Sequence, residues 1–197
     1  MTTKSKKGFT IIEVVLVLAI AGLIFLMVFI ALPALQRSQR NTQRADDLSR
    51  VLTAVNAYQS NNNGKTPFKT VGDNDASSGN YIAGVDKNFV NRYIDDKCTG
   101  AASKTEGTGD STVSSLGFDE CSDQFTDPDG KTYMMKYEGA VTANSTTAAG
   151  STMDHVFHVY SNATCGDEGI ANKGTGDRQV AIFYFMEGGS VSCNDNH

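Results

Sequence analysis

The sequence has no charged side chain between Glu13 and Arg37, and residues 14–35 are apolar apart from Gly22 and Pro33. Such a run predicts a membrane-spanning helix, because about 20 residues at 1.5 Å each cross the ~30 Å hydrocarbon core of a bilayer. The run is too long for an ordinary secretory signal peptide, and no A-x-A-like cleavage site stands at its end. Glu13 is then an ionisable group at the edge of a membrane span, a costly position that implies a partner.

Common catalytic motifs are also missing, since the chain has no G-x-S-x-G, no P-loop and no H-E-x-x-H. Positive charge is scarce after residue 50, where 10 Lys and Arg stand against 19 Asp and Glu. This acidic balance argues against broad contact with nucleic-acid phosphates. We predict no enzymatic activity, no cofactor and no direct nucleic-acid binding.

The four cysteines all lie in the polar part of the chain, and no two have C-x-x-C spacing. An even count behind a membrane-targeting segment predicts two disulfides in an oxidising compartment. A zinc site is the weaker alternative, because His155 and His158 fall on opposite faces of a predicted strand. Of the three possible connectivities we favour Cys98–Cys121 and Cys165–Cys193. Because disulfides need an oxidising compartment, we expect the polar part of the chain to lie outside the cytoplasm and the N-terminus to lie in the cytoplasm.

A second helical pattern follows the apolar run without a break. Residues 36–47 are almost wholly polar, and apolar side chains then recur with helical spacing at Leu48, Val51, Leu52, Val55 and Tyr58. Asn61 to Gly64 supply a stop signal. We predict one helix from about residue 9 to 62, which Pro33 bends or loosens because it removes one hydrogen bond.

The remaining chain predicts an α+β head. A short helix capped by Asp86 is expected over residues 86–97, and loops rich in small polar residues over 99–115 and 139–152. Four strands are expected at residues 133–137, 156–160, 179–186 and 190–193. We predict an antiparallel sheet of about four strands, covered by the apolar stripe of the long helix.

The N-terminus carries the most specific pattern: two lysines, Gly8, the sequence Phe-Thr-Ile-Ile-Glu ending at Glu13, and then the uncharged span. It resembles the class III signal sequence of type IV prepilins and pseudopilins. The resemblance implies a leader over 1–8, cleavage between Gly8 and Phe9, and N-methylation of Phe9. It also implies a membrane and assembly helix over 9–35, an amphipathic helix over 36–62 and a globular head over 63–197.

We hypothesise that Glu13 sets subunit register. The new α-amine of Phe9 lies one helical turn from Glu13 and can neutralise it within one subunit in the membrane. In a filament, the amine of an incoming subunit can instead meet the Glu13 of its neighbour, where low dielectric strengthens the attraction. Pro33 is expected to help the helix loosen during extraction from the bilayer.

Residues 127–133, Asp-Pro-Asp-Gly-Lys-Thr-Tyr, resemble a turn found in many pseudopilin heads, some of which bind calcium nearby. The stretch fails as an EF-hand, because Phe125 occupies the first ligand position and Lys136 the twelfth. A solvated hairpin turn is the favoured interpretation, and we expect no metal. The calcium candidates are Asp123, Asp127 and Asp129.

The resemblance as a whole implies a subunit of a type IV pilus for adhesion or twitching motility. Before assembly it is held in the inner membrane by a single span, and after assembly it is part of an extracellular pilus at the cell surface. Implied partners are further copies of the chain, prepilin peptidase, the assembly platform protein and ATPases, and other pilins. Two alternatives stay open: a pseudopilin of a type II secretion or competence system, and an uncleaved single-pass anchored binding protein.

Overall fold

The computed structural model describes residues 8–69, 81–82, 84–95, 103–106, 113–118, 125–143, 145–147, 155–176 and 178–197. The chain divides into two compact units, Met1–Gln39 and Arg40–His197. Each unit is described by itself below, and the second is called the head.

The predicted long helix is confirmed as α1, Ile11–Asn61, a single helix of 51 residues that contains Pro33. It ends where the sequence predicts. The Gly64 amide donates to the Gln59 carbonyl at 2.8 Å, and Gly64 has a φ of +78°. A residue with positive φ satisfies the last carbonyls of a helix, and glycine adopts that conformation without strain.

Besides the C-terminal part of α1, the head contains one short α-helix, a 3-10 turn at Asp167–Gly169 and eleven strands among its described residues. Helix α2, Lys87–Phe89, continues as a π-helical turn over Val90–Ile94, and Asp86 caps it by accepting a hydrogen bond from the Asn88 amide at 2.9 Å. The strands are β1 Tyr81–Ile82, β2 Val85–Asp86, β3 Ser103–Glu106, β4 Val113–Gly117, β5 Met134–Ala140, β6 Ser145–Thr147, β7 Val156–Ser161, β8 Ala163–Cys165, β9 Ile170–Lys173, β10 Val180–Phe185 and β11 Val191–Asp195.

The main sheet has six strands in the order β11-β10-β7-β5-β4-β3. The four predicted strands correspond to β5, β7, β10 and β11, which are neighbours in this sheet, so the α+β fold class is confirmed. Two details differ from the prediction. The pair β5–β7 is parallel, and β3 and β4 lie at the edge of the sheet within or overlapping a segment predicted to be a loop.

These differences have physical reasons. A parallel pair needs a long crossover connection, and the predicted loop between β5 and β7 provides one that also contributes β6 to a second sheet, β6-β9-β8. The sequences Ser-Lys-Thr-Glu and Val-Ser-Ser-Leu-Gly of β3 and β4 show little alternation of apolar and polar residues. They pair through their backbones, so periodicity does not reveal them.

Both faces of the main sheet are covered. Alternate residues of β10 belong to two separate hydrophobic clusters: Val180, Ile182 and Tyr184 face the cluster that contains the apolar stripe of α1. Ala181, Phe183 and Phe185 belong to the second cluster, together with Ala163 and Ala171 of the small sheet. Burial on both sides explains why β10 is apolar at every position.

A disulfide joins Cys165, at the end of β8, to Cys193 in β11, with a Cα–Cα distance of 5.8 Å. It links the small sheet to the edge of the main sheet. The other predicted pair, Cys98–Cys121, lies outside the described residues and stays a prediction.

Replacing both Cys165 and Cys193 with serine should lower the free energy of unfolding by about 2–4 kcal/mol. The disulfide restricts the unfolded chain by closing a loop across a sequence separation of 28 residues. Urea unfolding of the full chain in detergent, followed by near-ultraviolet circular dichroism, measures the change. A midpoint equal to that of the wild type would show that the bond does not contribute to stability.

Candidate functional site

The N-terminal motif begins in non-helical backbone. Gly8, Phe9 and Thr10 precede α1, and the Phe9 side chain is 90% exposed. No described atom lies within 4 Å of the position that a Cβ on Gly8 would occupy. The backbone at Gly8 is therefore not packed against other described residues.

Glu13 folds back onto the start of the helix. Its Oε2 atom accepts hydrogen bonds from the Thr10 amide and the Thr10 hydroxyl, each at 2.8 Å. The Glu13 amide in turn donates to the Thr10 hydroxyl oxygen at 3.3 Å. This reciprocal arrangement is a capping box, which satisfies amide groups that the first helical turn leaves unpaired. Glu13 therefore has a local structural role that the sequence analysis missed, although Thr-x-x-Glu is its signature.

The apolar half of α1 presents its side chains outward within the first unit. Large apolar residues from Ile11 to Leu35 are exposed, and the most apolar window has a mean hydropathy of 3.2 with none of it buried. Length and composition make this helix a candidate membrane span. Pro33 lies inside it, and the predicted bend there stays a prediction.

A buried polar cluster lies where α1 meets two turns of the head. Arg44 is fully buried and forms a bidentate pair with Asp127, Nε to Oδ2 at 2.8 Å and Nη2 to Oδ1 at 2.7 Å. Asp127 also accepts from the Tyr184 hydroxyl at 2.7 Å and from the Asp129 amide at 3.0 Å. Both carboxylate oxygens are therefore occupied, which leaves Asp127 a poor candidate for calcium.

The second turn is the one that joins β10 to β11. Arg44 Nη1 donates to the Glu187 carboxylate at 2.8 Å, and Arg40 holds the same carboxylate through two bonds of 2.7 Å. The Asn41 side chain bonds both backbone groups of Glu187 at 3.1 Å. Three residues in one turn and a half of α1 thus fix this turn of the head.

The turn motif over residues 127–133 is attached to α1 at both ends. Asp127 binds Arg44, and the hydroxyl of Tyr133 donates to the Asp47 carboxylate at 2.8 Å. Arg44 and Asp47 are one helical turn apart, on the same face of α1 as Leu48 and Val51. The motif is therefore a docking element for the helix. Gly130, with a φ of +84°, closes its turn through a 2.8 Å bond to the Asp127 carbonyl.

The pKa values of the buried carboxyls depend on their partners. Burial raises the pKa of Asp127, but hydrogen bonds from Arg44 and Tyr184 outweigh it and hold that pKa well below its usual range. Hydrogen bonds from Arg40 and then Arg44 lower the pKa of Glu187 to about 2. Burial raises the pKa of Asp47, although the Tyr133 hydroxyl opposes the effect.

We expect acid to weaken the head partly through Glu187. A carboxyl whose pKa is lowered by folding stabilises the protein fully above its unfolded-state pKa of about 4.3, and that contribution is lost as the pH falls toward the folded value. Asp47 has the opposite effect on stability: because folding raises its pKa, its contribution becomes more favourable as the pH falls. Urea unfolding of wild type and Glu187→Gln should therefore differ above about pH 5 and converge between about pH 4 and 2. A difference that does not change with pH would contradict this assignment.

Of the other two predicted calcium candidates, Asp123 and Asp129, the structure describes one. Asp123 lies outside the described residues. Asp129 faces a residue that the calcium hypothesis did not include, since its Oδ2 atom is 3.4 Å from His155 Nε2.

Comparison with known families matches the start of the chain. Residues 3–29 match the family described as the prokaryotic N-terminal methylation motif, which is characteristic of type IV pilins and pseudopilins. The match covers 27 of the 197 residues and supports a precursor of the type IV pilin or pseudopilin kind. No curated protein and no solved structure matches it significantly.

The motif implies processing by prepilin peptidase and assembly with other pilins. The family is structural and not enzymatic. A class III signal with one N-terminal apolar helix fits anchoring in the inner membrane before assembly into an extracellular pilus.

Proposed function

We propose that the chain is a structural subunit of a type IV pilus used for adhesion or twitching motility. The observation that carries the proposal is the uncharged, outward-facing apolar half of α1, directly behind the processing motif. Prepilin peptidase cuts between Gly8 and Phe9 and the new amine is methylated. The platform protein and its ATPases then extract the subunit, and helix–helix contacts replace lipid contacts.

Polymerisation needs a contact that repeats without closing, because a head-to-tail interface of that kind generates an open helical filament. The Phe9 amine of one subunit and the Glu13 carboxylate of the next supply such a contact in our proposal. The capping box supports it, since it holds the Glu13 carboxylate back toward the first residues of the helix.

A pilus is preferred to a secretion pseudopilus because of the head. It is acidic, and its described part contains a disulfide between two sheets, features suited to a surface outside the cell. The lack of a basic patch in the sequence offers no support for DNA capture.

Cryo-electron microscopy of sheared surface filaments tests the proposal. We expect this chain to be the repeating subunit, with the 9–35 segment in the filament core, and we expect deletion of the gene to remove the filaments. Intact surface filaments in the deletion strain, together with loss of protein secretion or DNA uptake, would assign the chain to one of the alternatives.

A further inference from the structure

His155 is buried without a hydrogen-bond partner. Its side chain is 2% exposed, and within the described part of the chain neither ring nitrogen has a hydrogen bond. Burying a polar group without a hydrogen bond is costly. Such a group in a native protein calls for an explanation, and a bound ion that contacts it is one of them. The backbone there is also unusual, since His155 has a φ of +58°, a conformation that non-glycine residues rarely adopt.

Two carboxylates face the two ring nitrogens. Nε2 is 3.4 Å from Asp129 Oδ2, and Nδ1 is 3.6 Å from Asp127 Oδ2. Nitrogen and oxygen ligands about 2.0–2.1 Å from a tetrahedral ion are about 3.3–3.4 Å apart. The spacing between Nε2 and Asp129 is that of two ligands of one ion.

The roles of the two carboxylates differ. Both oxygens of Asp127 are already held by Arg44, so Asp127 is not counted as a ligand; its Oδ2 atom faces Nδ1 at 3.6 Å and can orient the ring. Metal-bound histidines usually donate their other ring nitrogen to such a carboxylate. Asp129 Oδ1 accepts a hydrogen bond from the Lys131 amide at 3.1 Å, whereas Oδ2 faces His155. The side chain is 27% exposed, which leaves room for water at the remaining positions of an ion bound to Oδ2.

We propose that His155 Nε2 and Asp129 Oδ2 bind a divalent transition-metal ion of the zinc class, with water at the remaining positions. Imidazole with carboxylate suits such ions, whereas calcium takes oxygen ligands. The ion would join the 127–130 turn to the start of β7, beside the buried pair of Arg44 and Asp127. This assignment is separate from filament assembly, and it shares Asp129 with the calcium candidates of the sequence analysis.

Thermal unfolding of the full chain in detergent, after treatment with a chelator, tests the site with zinc chloride as the probe. Zinc at about 100 times its dissociation constant should raise Tm by roughly 5–10 °C. His155→Gln and Asp129→Asn should each weaken zinc binding at least about 10-fold. His197→Gln is the matched control, because this exposed histidine pairs with Asp195 away from the cluster; it should leave the zinc effect unchanged.

A second readout separates binding from folding. Cobalt(II) should give visible absorption bands in the wild type and in His197→Gln, and these bands should be lost in His155→Gln and in the surface variant Asp129→Asn. A Tm that does not respond to zinc would overturn the proposal. The proposal would also be overturned if zinc raised the Tm of Asp129→Asn as much as that of the wild type. It would be overturned too if calcium raised the Tm of the wild type as much as zinc does and still raised it in His155→Gln.

Discussion

Replacing Arg44 with alanine is expected to lower the free energy of unfolding of the head by about 3–5 kcal/mol. The side chains of Arg44 and Asp127 are both fully buried, so the substitution leaves a carboxylate in the interior without its counter-charge. The hydrogen bonds from Tyr184 and the Asp129 amide remain, but they cannot replace a guanidinium. Urea unfolding of the full chain in detergent, followed by near-ultraviolet circular dichroism, measures the loss.

Arg40→Ala is the matched control. Arg40 binds the same Glu187 carboxylate, but its side chain is 33% exposed, and exposed ion pairs contribute only about 0–1 kcal/mol. Arg44→Lys should fall between the two alanine variants, because a lysine keeps the charge but cannot form the bidentate pair. If Arg44→Ala lowered the free energy of unfolding no more than Arg40→Ala, the buried pair of Arg44 and Asp127 would not be what holds the 127–133 turn on α1.

Glu13→Gln is expected to abolish surface filaments while leaving the precursor at its normal level. If the amine of one subunit pairs with Glu13 of its neighbour in a low dielectric, removing the charge costs about 3 kcal/mol or more per contact. That loss lowers the association constant of a subunit roughly 100-fold. Filaments sheared from cells are counted by electron microscopy, and immunoblots report the amount and cleavage of the precursor.

Thr10→Ala separates the charge of Glu13 from its capping role. Glutamine can replace glutamate in a capping box, so Glu13→Gln keeps the start of the helix and removes the charge. Thr10→Ala does the reverse, since it removes the hydroxyl bonds and keeps the carboxylate. We expect filaments from Thr10→Ala and none from Glu13→Gln. The opposite pattern would mean that Glu13 acts by capping the helix and not by setting register.

The sequence predicted those parts of the fold that bury an apolar pattern. The stripe that contains Leu48, Val51 and Val55 located the helix face, and the apolar runs located β7 and β10. Strands β3 and β4 escaped because their sequences are largely polar and their pairing depends on backbone bonds. The parallel direction of β5 and β7 depends on where the crossover runs, and local sequence does not state that.

The polar cluster was only partly readable. Arg44 and Asp47 sit at stripe positions next to Leu48, and charged residues on an otherwise apolar face could have indicated buried pairing. Their partners could not be named, because Glu187 lies 143 residues from Arg44 and the contact exists only once the sheet has formed. Likewise, strand periodicity predicted that His155 lies on one face of a strand. In the structure β7 begins at Val156, and His155 precedes it with a positive φ.

Mass spectrometry of the chain recovered from surface filaments tests the central claim most directly. A pilus subunit must begin at Phe9, carry one methyl group on its α-amine and lack residues 1–8. We predict that N-terminal peptide. A chain that keeps Met1 and the leader, or that is found in the membrane and never in filaments, would contradict the account and support an anchored binding protein.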